Sequence, residues 1–199
     1  MAYETQDFRI PADLEGLSHK QIEVHLGLYK GYVKHVNLIA EKLGAMRNGA
    51  VPNDPYVGAE LRRRFGFEFD GMRMHEHYFE QLEGGGALMD SNGRLAEAVG
   101  EKYGGVEKFL DHIREVAGSR GIGWIVVYYD PRADTIHTVF VGDHELGHLA
   151  GLPVLYCVDM WEHAFMVDYI PSEKAKYLES YLKNTNWQVA EERLANVKA

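Results

Sequence analysis

Asp159 and His163 stand four residues apart in D-M-W-E-H-A-F-M-V-D-Y, the stretch from Asp159 to Tyr169. A carboxylate and an imidazole at that spacing can bind one metal ion from one face of a turn, and Trp161 between them can keep water and loose ligands away. Upstream, His25 and His75 each lie on a strongly helical segment. Three imidazoles and one carboxylate form a mixed nitrogen and oxygen donor set, which suits a redox metal such as Mn or Fe better than a structural zinc. Each residue also has a plainer role open to it. His25 shares a helical stripe with Tyr29 and Tyr32, where a lone histidine is more often a core residue with a hydrogen-bond partner. His75 has a rival in His77, and residues two apart cannot face the same side of a helix. An Asp at a strand end beside an aromatic is costly without a cation or several donors. On spacing alone a buried Asp–His hydrogen bond and a metal cage serve equally well.

The elements that must position these residues can be read from the pattern. Ser18 to Gln21, S-x-x-Q, reads as a capping box. Ile22, His25, Tyr29, Tyr32, Val33, Val36 and Ala40 then recur at helical spacing until about Gly44. Asp54-Pro55 predicts an N-cap and first helical residue, opening a helix that runs, with a possible break at Gly66 or Gly71, to Leu82. Gly84-Gly85-Gly86 punctuates the chain and marks the predicted boundary between residues 1–86, a helical hairpin, and residues 87–199, an α/β unit. Two shorter helices follow, about Leu95 to Lys102 and Val106 to Ala117, separated by Gly104-Gly105. Gly123 to Tyr129 and Thr135 to Val141 are β-branched and aromatic and flank D-P-R-A-D, so they read as a hairpin. Val154 to Val158 is a third strand delivering Asp159 at its end, and two helices follow Pro171. The expected fold class is α+β: a long N-terminal helical hairpin, then an α/β region with a small three-stranded antiparallel sheet.

The chain has 199 residues, enough to bury a core. Its net charge of -9 excludes general nucleic-acid binding, which wants a basic surface. A small anionic substrate remains open, because local positive charge can steer an ion against the global sign. The single cysteine, Cys157, excludes an intramolecular disulfide and a Cys-based zinc site and fits a reducing compartment. The first residues, M-A-Y-E-T-Q-D-F-R-I-P, have no basic start and no apolar run, so no signal peptide is expected. Nothing approaches a membrane span. A cytoplasmic location is the expectation.

The stretch from Asp159 resembles the D-x-W-E-H-A motif of the iron/manganese superoxide dismutases, and the likeness extends from about Leu14 to Leu194. I-E-V-H at His25 resembles the family's M-E-I-H run. G-M-R-M-H-E-H-Y-F resembles its G-H-x-N-H-x-x-F-W pattern when His75 is the ligand and His77 is not. Gly118-Ser119 with G-I-G-W resembles its G-S-G-W-G-W segment, and the run from Tyr169 to Trp187 its closing Y-K-N-x-R-P-D-Y-L-x-x-x-W-x-x-x-N-W pattern. The resemblance implies one Mn or Fe ion per subunit on His25, His75, Asp159 and His163, with solvent as a fifth ligand, and dismutation of superoxide. It implies a gateway role for Tyr32 and pocket walls at Trp124 and Trp161. Glu162 would reach a ligand histidine of a second subunit, so a homodimer or homotetramer is expected. Many members place a Gln over the metal; Gly71 occupies its N-terminal position here, and His144 matches a histidine that archaeal members carry at the C-terminal one. His144 is therefore expected to tune the metal, with His148 in support.

The chain also departs from the pattern. Tyr29 stands where the family usually has a His, and Met166 where it usually has a Tyr, so both ends of an inter-subunit bond are changed together. His25 and Tyr32 are seven apart, one fewer than usual, though seven residues still return to one helix face. These changes keep a second expectation alive: a weakly active or inactive metal-binding member of the fold, serving as a scaffold.

Overall fold

The structure is a computed structural model that describes residues 2–198. Helix α1, His19–Arg47, opens at Ser18, whose side chain accepts from the Gln21 N–H at 3.0 Å. Only half of the predicted capping box forms. The Gln21 side chain turns inward instead, donating to His163 O at 2.8 Å and accepting from Val167 N at 2.9 Å. Helix α2, Pro55–Glu80, is capped by Asp54, which accepts from the N–H groups of Tyr56 and Val57. Neither Gly44 nor Gly66 nor Gly71 stops its helix. An interior glycine costs only about 1 kcal/mol, and the packing of the two long helices against each other outweighs that.

Past Gly84 and Gly85, both with left-handed φ of +74° and +80°, come α3, Arg94–Tyr103, and α4, Val106–Ala117. Strands β1, Gly123–Asp130, β2, Thr135–Gly142, and β3, Val154–Asp159, form an antiparallel sheet in the order β2-β1-β3. The central strand is buried along nearly its whole length, which is why it reads as a continuous apolar run with no alternation. Its register sets Trp124 opposite both Val141 and Asp159. A 3-10 turn, Glu162–Ala164, follows β3, and α5, Lys174–Asn184, and α6, Trp187–Lys198, close the fold. Core residues from the helical hairpin (Tyr29, Met72, Phe79) and from the sheet (Trp124, Val126, Leu155) belong to one apolar cluster. Among the described residues no helix is long and apolar enough to cross a membrane.

Candidate metal centre

Four segments converge at the junction of the hairpin and the sheet. α1 brings His25, α2 brings His75, the end of β3 brings Asp159 and the 3-10 turn brings His163. One ligand atom from each lies within 4.8 Å of all the others. All three imidazoles present Nε2: that atom lies 3.0 Å from Asp159 Oδ2 in His25, 3.1 Å in His163 and 3.6 Å in His75. The other Asp159 oxygen, Oδ1, accepts the Trp161 N–H at 2.8 Å, and its carbonyl accepts the Tyr177 hydroxyl at 2.7 Å. This leaves Oδ2 aimed at the histidines.

The donor set fits a metal cation. The His75 Nδ1–H donates to Gly71 O at 2.6 Å, so the Nε2 lone pair is free, and Nε2 is buried with no partner. A buried, unpaired nitrogen costs free energy unless something occupies the point it faces. Burial lowers the pKa of His25, against the pull of the hydrogen-bonded Asp159, and lowers that of His75 well below its usual value. Burial would raise the Asp159 carboxyl, but His163 and His25 beside it carry it below the ordinary carboxylate range. Neutral imidazoles with an ionised carboxylate are the protonation states that a metal requires.

Around the cage lies a hydrogen-bonded row. The Trp124 Nε1–H donates to His144 Nδ1 at 2.9 Å, and His144 Nε2 lies 2.6 Å from the Tyr32 hydroxyl. His144 and Trp124 are completely buried, and burial lowers His144 to a pKa of about 4. Burial also raises the Tyr32 phenol above its ordinary range. Trp161 stacks on His144 at 4.7 Å and on His163 at 5.5 Å. His148 supports the same loop, bonding the Tyr128 hydroxyl at 2.5 Å and His144 O at 2.8 Å. The seven-residue spacing suffices because α1 is uninterrupted between His25 and Tyr32.

Of the residues expected to form the site, Glu162 does not join the cluster. It is exposed, and among the described residues no hydrogen bond to an imidazole is found for it. Tyr29 is fully buried and turned inward: its hydroxyl accepts from Gln6 N at 2.9 Å and donates to Glu76 at 3.1 Å. His77 is outside the cage, with Nδ1 3.8 Å from Glu80.

Three contributors escaped the sequence reading. Gln21 ties the His163 turn to α1; its place one helical turn before His25 could have drawn attention, but the cap pattern explained it away. Phe67 packs on His144 at 4.7 Å and Trp161 at 6.4 Å, and its eight-residue offset from His75 was a usable signal. Gly71 brings the two helices into contact: a Cβ there would lie 2.7 Å from Tyr32 Cδ1.

Comparison with known proteins agrees with this geometry. Residues 91–193 match the family model for iron/manganese superoxide dismutases, C-terminal domain. A superoxide dismutase [Fe] from Sulfolobus acidocaldarius is 32% identical over 89% of this chain and 85% of its own. One from Aquifex pyrophilus is 33% identical over 96% and 90%. A superoxide dismutase [Mn/Fe] from Aeropyrum pernix is 29% identical over 85% and 78%. With its D-M-W-E-H segment closing a cluster of three histidines and one aspartate, the chain belongs to the iron/manganese superoxide dismutase family.

Proposed function

We propose that the protein is a superoxide dismutase holding one Fe or Mn ion per subunit on His25, His75 and His163 Nε2 and Asp159 Oδ2. The observation that carries this reading is the convergence of three imidazole nitrogens on one carboxylate oxygen, with His75 Nε2 buried and unpaired, in a member of this family. The bound ion would accept an electron from one superoxide and return it to a second, so that two superoxide ions and two protons yield dioxygen and hydrogen peroxide. The chain's residues do the remainder. Asp159 supplies one negative charge against a multivalent cation, leaving positive potential to draw an anion. Trp161, Trp124 and Phe67 keep water out, and Tyr32 with His144 presents hydrogen-bonding groups beside the ligands.

Names of relatives such as superoxide dismutase [Fe] favour turnover over a bare scaffold. The buried Cys157 supports a reducing compartment, and we place the protein in the cytoplasm. Residues 1–86 and 87–199 serve as the two units, each giving two ligands. The chain acts as a homodimer or homotetramer, in which Glu162, exposed beside the open edge of His163, meets a second subunit. The test is the superoxide consumption rate per bound ion, on protein whose Mn and Fe contents have been measured. Fast turnover with one ion establishes the function and names the metal; a filled cage without turnover overturns it.

A further inference from the structure

An anion approaching a protein with a net charge of -9 needs a local positive potential on its way to the cage. His25, His75 and Asp159 are buried, and the partly exposed rings beside them are Tyr32, Phe67, Trp161 and His163. These rings follow one another. Their centroids lie 6.3 Å apart from Tyr32 to Phe67, 6.4 Å from Phe67 to Trp161 and 5.5 Å from Trp161 to His163. This row is the mouth of the cage. The Arg64 guanidinium lies on it, 3.7 Å over the Phe67 ring, and its Nε–H donates to Glu68 Oε1 at 2.8 Å. The Glu68 side chain is 7% exposed and that of Arg64 42%, so the pair has its carboxylate inward and its cation toward solvent. Among the described residues neither Nη of Arg64 has a hydrogen-bond partner, so their N–H groups remain free.

We infer that Arg64 is a steering residue: laid flat on Phe67 and clamped by Glu68, it turns its free Nη edge to the mouth and draws the substrate anion there. A guanidinium stacked on an aromatic face keeps its donor edge available to an anion. Helix α2 delivers it to this place, since Arg64, Glu68, Gly71 and His75 are spaced four, three and four residues apart on one helical stripe. The stripe that brings a cage histidine therefore also brings the cation. Burial dominates the pKa of both Tyr32 and His144, and against that background the positive charge of Arg64 pulls each of them down, so its field reaches the cage wall. Lys174, whose ammonium feels Asp159, lies instead in a groove with Glu162 and Gly121, on the side assigned to a second subunit. The inference deepens the dismutase reading and rests on it for the identity of the anion.

The test uses the full-length protein loaded with Fe(III) and azide as a small anion that binds iron, followed by stopped-flow absorbance, with superoxide turnover measured in parallel. At low ionic strength Arg64→Gln should slow azide association about threefold. It should lower kcat/KM for superoxide by a similar factor and leave kcat unchanged. The difference should close in ~1 M salt, where the Debye length is about 3 Å, whereas a merely structural loss would persist there. Arg62→Gln removes the same charge from an exposed position on another side of α2 and should associate at the wild-type rate. In Glu68→Gln the amide oxygen still accepts from Arg64 Nε while the opposing charge is gone, so association should be faster than in the wild type. Equal azide rates for Arg64→Gln and wild type at low salt, or slower association in Glu68→Gln, overturn the inference. Iron-loaded protein that consumes no superoxide, yet whose azide rates follow these charges, overturns the dismutase reading and leaves the steering role standing.

Discussion

At the residue scale, the cage depends on side chains that never touch the ion. Gln21 holds His163 O and Val167 N through its amide, and with those two bonds it fixes the turn that aims His163 at Asp159. Gln21→Met keeps the volume and removes both bonds, leaving the part-buried His163 carbonyl and Val167 N–H without this partner. That loss costs about 1–3 kcal/mol of stability. Partners that orient a ligand are worth about 10–100-fold in metal affinity. Chelator competition on Gln21→Met should therefore show at least tenfold weaker retention of the ion than wild type; equal retention would mean that the turn holds His163 unaided. The four residues that cluster here were legible through their resemblance to the family's runs, D-M-W-E-H above all, since spacing alone left a buried Asp–His hydrogen bond equally open. Gln21 was not, because S-x-x-Q also satisfies a cap pattern, and a glutamine's long side chain can serve either its own helix end or a turn 142 residues away.

At the scale of elements, the hairpin, the sheet and the caps at Ser18 and Asp54 were readable from periodicity and turn residues, while helix continuity through glycines and close approaches were not. The period-3.6 stripes of α1 and α2 place His25 and His75 facing each other, at 4.9 Å between ring centroids. Helix continuity through Gly66 and Gly71 is a matter of tertiary packing, which a local propensity cannot see. Gly71 illustrates what was hidden. In the space a side chain would take lies the Tyr32 ring, so the glycine makes room for the phenol. Gly71→Ala puts a methyl 2.7 Å from Tyr32 Cδ1, a contact that must push the ring or part the helices. Overpacking of this kind costs about 1–3 kcal/mol. Displacement of a positioned group by about 1 Å can cost on the order of 100-fold in rate. The variant is expected to bind metal and to lose at least tenfold in turnover per ion. Wild-type turnover in Gly71→Ala would show that the Tyr32 position is not critical.

At the scale of the whole molecule, apolar groups lie exposed on each side of Glu162 in the sequence: Val24 and Leu28 on one stripe of α1, and Met166, Val167 and Ile170 past the 3-10 turn. Light scattering should return a multiple of the chain mass; a monomer at micromolar concentration would remove the subunit contact assigned to Glu162. Acid stability follows from the buried imidazoles. His144 has a folded pKa of about 4 against 6.5 when free, because burial penalises its charged form. Between those values the unfolded chain binds the proton and the folded chain does not, so stability falls as pH drops from 6.5 and the loss is complete below about 4. That gap is on the order of 3 kcal/mol. His25 and His75, also lowered by burial, act in the same direction. The lowered Asp159 carboxyl opposes unfolding at neutral pH and withdraws its contribution only as pH falls below 3.8, so it does not obscure this window. For metal-free protein, urea midpoints measured at intervals from pH 7 to pH 4 should therefore decline steadily, and His144→Gln should flatten the decline by its share. A profile that stays level to pH 4 in the wild type would mean that these imidazoles accept protons inside the fold, and the cage would then have to be more open than its burial implies.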